Sequence, residues 1–193
     1  MLYVVDLAAA GPQPDANLGG KASALSRLIH AGLPVPRSLC LTASAYHVFT
    51  DQPDLRDVIR TFTNSPSNQA EVDEASAAVQ RAFNSAPMPP EIENEIREAA
   101  GRLLSADGRA LAVRSSALAE DQINASFAGQ HASFLCIRDE SAALAAVRRC
   151  WASLWSPEAI SYRRRLAAAS DHGAMAVVLQ AMLGRMVLDA LRD

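Results

Sequence analysis

The chain contains a single lysine, Lys21, at a position typical of a phosphate-binding lysine. It follows two glycines in Asn17-Leu18-Gly19-Gly20-Lys21 and opens a run of apolar residues at helical spacing. The N-terminus of a helix presents backbone N–H groups to anions, and a compact ammonium on a flexible stem adds positive charge beside them. The alternative is that a composition with 18 basic residues, all but one of them arginine, left one lysine at an ordinary surface position.

Two further segments carry groups suited to a polyphosphate. In Val113-Arg114-Ser115-Ser116 a buried strand is predicted to deliver the Arg114 cation into a hydroxyl-rich turn. In Ser126-Phe127-Ala128-Gly129-Gln130 a loop of small residues leads into a strand, and Gly129 would let the backbone approach a ligand closely. A lysine, an arginine and a glycine loop supply charge neutralisation, forked hydrogen bonding and main-chain donors.

Each segment also has an ordinary structural explanation. Arg114 can pair with Glu120 or Asp121 at the end of its strand, and Gly129 can belong to a hairpin. No segment matches the Walker A phosphate loop or the GxGxxG dinucleotide fingerprint. The segments therefore indicate phosphate binding only when they are taken together.

The elements that must position these residues follow from hydrophobic periodicity and from glycine, proline and capping residues. Helices alternate with strands, so we expect an α/β or α+β fold. The predicted strands are residues 2–7, 38–41, 111–114, 133–137 and 174–179. The predicted helices run from Lys21 to Gly32, from a Thr42 cap through Phe49, as two segments within 51–83, from Pro90 to about Leu104, from Ser141 to about Trp155, and onward from a Ser156 cap.

The composition predicts a soluble globular protein. Half of the 193 residues are hydrophobic, a fifth are charged and the net charge is −3, so we expect no nucleic-acid partner. No apolar run reaches the ~18 residues of a membrane helix, and the acidic start lacks the basic region of a signal peptide. Three widely spaced cysteines without a CxxC pair predict buried reduced thiols. We therefore expect a cytoplasmic protein with no membrane contact.

Taken in order, the motifs resemble the ATP-binding region of the family that contains phosphoenolpyruvate synthase, pyruvate phosphate dikinase and rifampicin phosphotransferase. Leu18-Gly19-Gly20-Lys21 followed by Gly32-Leu33-Pro34-Val35-Pro36 is similar to the opening of that region. Residues 113–130 resemble its second and more specific motif. Cys150-Trp151-Ala152-Ser153-Leu154-Trp155 and Met175-Ala176-Val177-Val178-Leu179-Gln180 continue the likeness.

The resemblance implies that residues 1–183 form the N-terminal part of an ATP-grasp-like nucleotide-binding domain, with ATP as the ligand. It also implies nucleotide contacts for five residues: Lys21, Arg114, Gly129, Ser133 and Gln180. Ser133 stands where the family has a threonine, so it keeps the hydroxyl and loses a methyl group.

Residues 184–193 depart from the family pattern, in which the domain continues with acidic residues that hold Mg²⁺ and, further on, a domain with a phosphorylated histidine. Their apolar residues recur at helical spacing and predict a divergent amphipathic helix. We therefore expect Mg²⁺ only together with the missing half, no catalytic residue within this chain, and either self-association or a protein partner that supplies that half.

The main hypothesis is that the chain is the ATP-binding portion of a phosphotransferase of the dikinase type. In the complete family a phosphoryl group passes from ATP through a histidine to a second substrate. The alternatives are a non-catalytic interaction module and one subunit of a split enzyme, both derived from this family.

Overall fold

The computed structural model describes residues 3–11, 17–63, 68–106, 110–118, 132–160 and 173–182. The strands are β1 (Val4–Asp6), β2 (Ser38–Leu41), β3 (Leu111–Ala117), β4 (Ser133–Ile137) and β5 (Met175–Ala181). The helices are α1 (Gly19–His30), α2 (Ala43–Thr50), α3 (Pro53–Thr63), α4 (Gln69–Ser85), α5 (Pro90–Ala106) and α6 (Glu140–Ser153). The loop that contains Gly129 and the predicted helix at 184–193 lie outside these ranges.

The five strands of the described residues form one sheet in the order β1-β2-β5-β3-β4, and every neighbouring pair is antiparallel. Helices packed on an antiparallel sheet define an α+β fold, so of the two classes expected from the sequence the α+β class is confirmed. Among the described residues, no helix is long and apolar enough to cross a membrane.

Helices α2–α6 cover one face of the sheet, which we call the back face. Strand residues alternate between the two faces, and those on the back face, such as Val113 and Val177, form the main core with the helices. Trp151 and Trp155, which lie four residues apart, are both buried in this core, as the sequence predicts.

The opposite, front face of the sheet carries the polar residues of interest, and α1 packs over part of it. Here Ala22 of α1 is buried in a second cluster with Cys40 of β2 and Val178 of β5. Among the described helices α1 lies alone on this face, where it packs against β3 and β5.

Helix α1 ends where its glycine predicts. Gly32 has a φ of +75°, its N–H donates to Ile29 O at 3.0 Å, and the N–H of Leu33 donates to Leu28 O at 3.1 Å. These two bonds form a Schellman motif, which satisfies carbonyls at the helix end and directs the chain into the following extended segment.

Most helix starts also agree with the sequence. α5 begins at Pro90 as predicted, and Ser156 accepts a hydrogen bond from the N–H of Ala159 at 3.2 Å, as a capping serine does. α6 starts at Glu140 rather than Ser141, because Asp139 is its N-cap. Thr42 is the N-cap residue of α2, as predicted, but the prediction of a side-chain cap is wrong because the Thr42 hydroxyl makes no capping hydrogen bond.

Strand β3 is longer than the sequence indicates. Ser115 and Ser116 lie within the strand rather than in a hydroxyl-rich turn, because β3 pairs with β5 as far as Ala117 opposite Met175. Both hydroxyls are buried, and each donates a hydrogen bond to a backbone carbonyl, Ser115 to Ala132 O and Ser116 to Leu18 O. Placing these serines in the strand therefore leaves neither hydroxyl unsatisfied.

The prediction of buried thiols is confirmed for Cys40 and Cys150 and is wrong for Cys136, which is exposed. Cys136 lies in β4, at an edge of the described sheet, where the register with β3 shifts between Leu111 and Val113. Its φ of +58° fits a β-bulge, which turns the residue out of the regular alternation.

Candidate functional site

Three of the residues predicted to bind nucleotide lie together on the front face of the sheet. Arg114 of β3 pairs with Ser133 of β4 on one side and with Val178 of β5 on the other. Gln180 pairs with Ala112, so it is the diagonal neighbour of Arg114. Residues directly opposite in a sheet have Cβ atoms about 5 Å apart and diagonal neighbours about 7–8 Å apart, within reach of one ligand.

The fourth residue, Lys21, lies in the first turn of α1, which packs over the same face. Lys21 is half-buried and immediately precedes Ala22, whose side chain is fully buried against the sheet. Its position is therefore fixed by the start of a packed helix and not by a free loop. The structure thus brings Lys21 to the same face as Arg114, although the two are distant in sequence.

The start of α1 is held against β3 by one buried hydroxyl, that of Ser116. Its Oγ donates to Leu18 O at 2.9 Å and accepts from the N–H of Ala22 at 3.1 Å. Leu18 and Ala22 are the two residues that the first backbone hydrogen bond of α1 joins, since the helix begins at Gly19. The serine hydroxyl therefore bonds both ends of the first helical turn and ties that turn to β3.

Glycine is required where α1 meets β3. Gly19 has a φ of +72°, and a Cβ added there would lie 2.3 Å from Ser116 O and 2.7 Å from Ser116 Oγ. No side chain fits at those distances, so the helix approaches the strand as closely as it does only because residue 19 has none.

The segment before α1 and the helix itself make further hydrogen bonds to neighbouring elements. Asn17 O accepts a hydrogen bond from the N–H of Ala43 at 2.9 Å, and the thiol of Cys40 lies 3.8 Å from Leu18 O. Further along α1, the hydroxyl of Ser26 donates to Leu7 O at 3.2 Å. The first turn of α1 is consequently anchored to β2, β3 and α2 together.

The buried Cys150 thiol is one group whose pKa the Lys21 charge affects. Burial raises the pKa of the Cys150 thiol to about 12, and the positive charges of Arg149 and Lys21 oppose that rise. The Cys150 thiol lies 3.8 Å from Ala132 O, next to the first residue of β4.

Gln180 is held at the other side of Arg114. Its Nε2 donates to Ser38 Oγ at 3.0 Å, and Ser38 Oγ in turn donates to Pro36 O at 2.7 Å. Within the described part of the chain the amide oxygen of Gln180 makes no hydrogen bond, so it is the atom of this side chain available to a ligand.

This arrangement offers a ligand two cations, a hydroxyl and an amide on one face. Such a set suits a phosphate with an attached polar group, since charged donors make the strongest hydrogen bonds to phosphate oxygens. In the described ranges, no group of three or more His, Cys, Asp or Glu side chains is placed to hold a metal.

Sequence reasoning places Lys21, Arg114, Ser133 and Gln180 in the site but says nothing of Ser116 or Gly19 as structural links. The sequence signal that could have identified Ser116 is its spacing from Arg114, since residues two apart in a strand share a face. Gly129 lies outside the described residues, and contact of any of these side chains with nucleotide stays a prediction.

Comparison with known proteins gives a family match over most of the chain. The family described as "Pyruvate phosphate dikinase, AMP/ATP-binding domain" matches residues 15–187. The prodigiosin synthesizing transferase PigC of Serratia marcescens is 43% identical over 166 residues, which are 86% of this chain and 17% of that protein. A probable phosphoenolpyruvate synthase of Staphylothermus marinus is 38% identical over 173 residues, 86% of this chain and 21% of the relative.

Rifampicin phosphotransferase of Streptomyces sviceus is 36% identical over 184 residues, which cover 94% of this chain and 21% of that protein. The chain thus spans about a fifth of the length of the curated relatives it matches. The matched region contains all five residues that the sequence predicts to bind nucleotide.

Proposed function

This chain belongs to the pyruvate phosphate dikinase AMP/ATP-binding domain family, and from that premise we propose that it binds the phosphates of ATP between Lys21 and Arg114. The two cations neutralise phosphate charge, and the arginine adds forked hydrogen bonds. Ser133 lies directly opposite Arg114 and contributes a hydroxyl to the same ligand. Gln180 binds toward the adenine, and the loop that contains Gly129 covers the phosphates.

One observation carries this proposal: the helix that bears Lys21 and the strand that bears Arg114 are joined on the same sheet face. The junction consists of the Ser116 hydroxyl bonds to Leu18 and Ala22. A pair of cations held by packed elements loses little conformational entropy when an anion binds, which favours binding of a highly charged ligand.

At a finer level we propose that residues 1–183 are the N-terminal part of an ATP-grasp-like domain and belong to a dikinase-type phosphotransferase system. In that system ATP phosphorylates a histidine, which passes the phosphoryl group to a second substrate. The described residues offer phosphate-binding cations, we propose that Mg²⁺ binds only together with a second half of the domain, and we derive no step through it.

A second candidate function is that of an interaction module or split-enzyme subunit, and exposure at the sheet edge favours it. Leu135 of β4 is 60% exposed, although it lies in a strand beside the proposed nucleotide site. A large apolar side chain on an edge strand is suited to contact with another polypeptide.

Calorimetric titration of the chain with ATP tests the nucleotide proposal. Loss of a charge-assisted phosphate contact costs on the order of 1.5–3 kcal/mol, so Lys21→Ala and Arg114→Ala should each weaken binding by that amount. Arg27→Ala is the matched control, because Arg27 is an exposed cation in the last turn of the same helix. Unchanged ATP affinity in both site variants would reject the assignment.

A further inference from the structure

We propose that Ser116 is a positioning residue that couples Lys21 to Arg114, so that the two cations bind phosphate as one unit. This inference rests on the proposed function and adds a residue to which the comparisons give no role. Ser116 itself is fully buried and does not reach a ligand. Its effect on nucleotide binding must therefore pass through the residues it holds.

The bonding of Ser116 is specific to the start of α1. The Ser116 hydroxyl donates a hydrogen bond to Leu18 O and accepts one from the N–H of Ala22. Both partners are backbone groups, so the bonds fix the path of the chain through the first turn rather than a single rotamer. Lys21 lies between these two anchor points and its backbone direction is set by them.

On the strand side, Ser116 and Arg114 are two residues apart in β3 and share the front face. Pairing of β3 with β5 from Leu111 to Ala117 holds this part of the strand rigid. A displacement of α1 relative to Ser116 is consequently a displacement of Lys21 relative to Arg114.

The close approach at Gly19 makes the junction sensitive to the size of residue 116. Because a Cβ on Gly19 would lie only 2.3 Å from Ser116 O, the helix start is already at contact distance from the strand. When the hydroxyl is removed, its hydrogen bonds to the backbone of Leu18 and Ala22 are lost, while the helix keeps its own backbone bonds. The helix then keeps its fold but is held less firmly at its position on β3.

A double-mutant cycle measures this coupling. We expect Ser116→Ala to weaken ATP binding about tenfold, equivalent to ~1.4 kcal/mol, and to leave adenosine binding within about twofold of the wild type. In the Lys21→Ala background the same Ser116→Ala change should weaken ATP binding by less than about twofold, since residues in one network are not additive.

The matched control is Ser76→Ala. Ser76 is another buried serine whose hydroxyl bonds a distant backbone carbonyl, Trp155 O at 2.6 Å, but it lies in α4 on the back face. Its loss should lower the free energy of unfolding without changing ATP affinity. If Ser116→Ala does not fold, Ser116→Gly, which also lacks the hydroxyl and adds no volume at the junction, takes its place in the cycle.

The outcomes separate this inference from the proposed function. Suppose that Lys21→Ala and Arg114→Ala weaken ATP binding, but that Ser116→Ala has the same effect on ATP affinity in the wild type and in the Lys21→Ala background. Ser116 is then only structural, and this inference is overturned. If neither Lys21→Ala nor Arg114→Ala affects ATP binding, the proposed function is rejected, and the proposed coupling of Lys21 to Arg114 is rejected with it.

Discussion

At the scale of single residues, the environment of each side chain separates groups that look alike in the sequence. Cys136 and Cys150 are both isolated cysteines, yet one is exposed in a bulge at the sheet edge and the other is buried beside the core tryptophans. The sequence pattern predicts burial for both, because it contains no signal for the register shift that places Cys136 in the bulge.

The raised pKa of Cys150 predicts a loss of stability at high pH. Burial raises this pKa from 9.0 to about 12, so the folded chain holds the proton more tightly than the unfolded chain. The resulting stabilisation is complete below pH 9.0 and is lost as the pH rises toward 12. In that window the free energy of unfolding should fall by up to ~1.4 kcal/mol per pH unit because of Cys150 alone.

Urea unfolding across this pH range checks the prediction. The Cys150→Ala variant should show a shallower pH dependence than the wild type, although its stability at neutral pH is lower. Cys136→Ala is the control, because Cys136 is exposed, and it should keep the wild-type slope. Identical slopes in the wild type and Cys150→Ala would contradict the assigned cause.

At the scale of elements, the two glycines that bound α1 have similar backbone angles but different surroundings. Gly19 has a φ of +72° with Ser116 in contact, and Gly32 has a φ of +75° with nothing within 4 Å of an added Cβ. Gly32→Ala should cost about 1–2 kcal/mol, the penalty of left-handed backbone for a residue with a Cβ. Gly19→Ala should cost clearly more, because strand β3 must also move.

Chemical denaturation of the two alanine variants measures this difference. Since the backbone penalty is common to both, the excess cost of Gly19→Ala reports the contact with Ser116. Equal losses of stability would show that α1 can move away from β3 freely. ATP titration of the same Gly19 variant should show weaker binding if the variant folds.

Strand β1 depends on a carboxylate from a helix. Glu95 Oε2 of α5 accepts hydrogen bonds from the N–H groups of Tyr3 and Val4, both at 2.8 Å. Hydrogen bonds to a charged group contribute about 1.5–3 kcal/mol each, so Glu95→Ala should destabilise the chain by at least ~1.5 kcal/mol. Amide hydrogen exchange of β1 should accelerate in this variant more than exchange in β5.

A neighbouring glutamate on the same helix provides the control. Glu98 pairs with Arg102 at 3.7 Å, and both side chains are largely exposed. An exposed pair of this kind contributes about 0–1 kcal/mol, so Glu98→Ala should change stability little. Equal effects of the two substitutions would mean that Glu95 does not anchor β1.

Element positions were largely predictable because their signals are local. Gly32 and Pro90 mark a helix end and a helix start directly in the sequence, and both are confirmed. The strand that continues through Ser115 and Ser116 was not predictable in the same way. Its two serines resemble a turn in isolation, and only pairing with β5 makes them part of the strand.

At the scale of the whole molecule, the candidate site exists because the sheet unites distant parts of the chain. The hydrogen bond between Ala22 and Ser116 joins residues 94 positions apart, and that between Gln180 and Ser38 joins residues 142 apart. Motif reasoning can nominate residues such as Arg114 by type. The antiparallel strand order that makes them neighbours depends on tertiary packing, which a motif does not encode.

The edge of the sheet predicts how the whole molecule associates. β4 forms one edge of the described sheet, and Leu135 on it is 60% exposed. The bulge at Cys136 limits regular strand addition beyond that point, so contact through the leucine side chain is favoured over extended strand pairing. We therefore expect self-association, or binding to a partner, to involve Leu135.

Light scattering of the wild type and of Leu135→Asp tests this expectation. The wild type should show a mass above that of the monomer that rises with concentration, and Leu135→Asp should shift it toward the monomer. Because the leucine is exposed, its replacement should change the free energy of unfolding by no more than ~0.5 kcal/mol. Leu33→Asp controls for a general charge effect, since Leu33 is also exposed, at 52%, but lies after α1. A monomeric wild type whose scattering is unaffected by Leu135→Asp would remove β4 as a site of self-association.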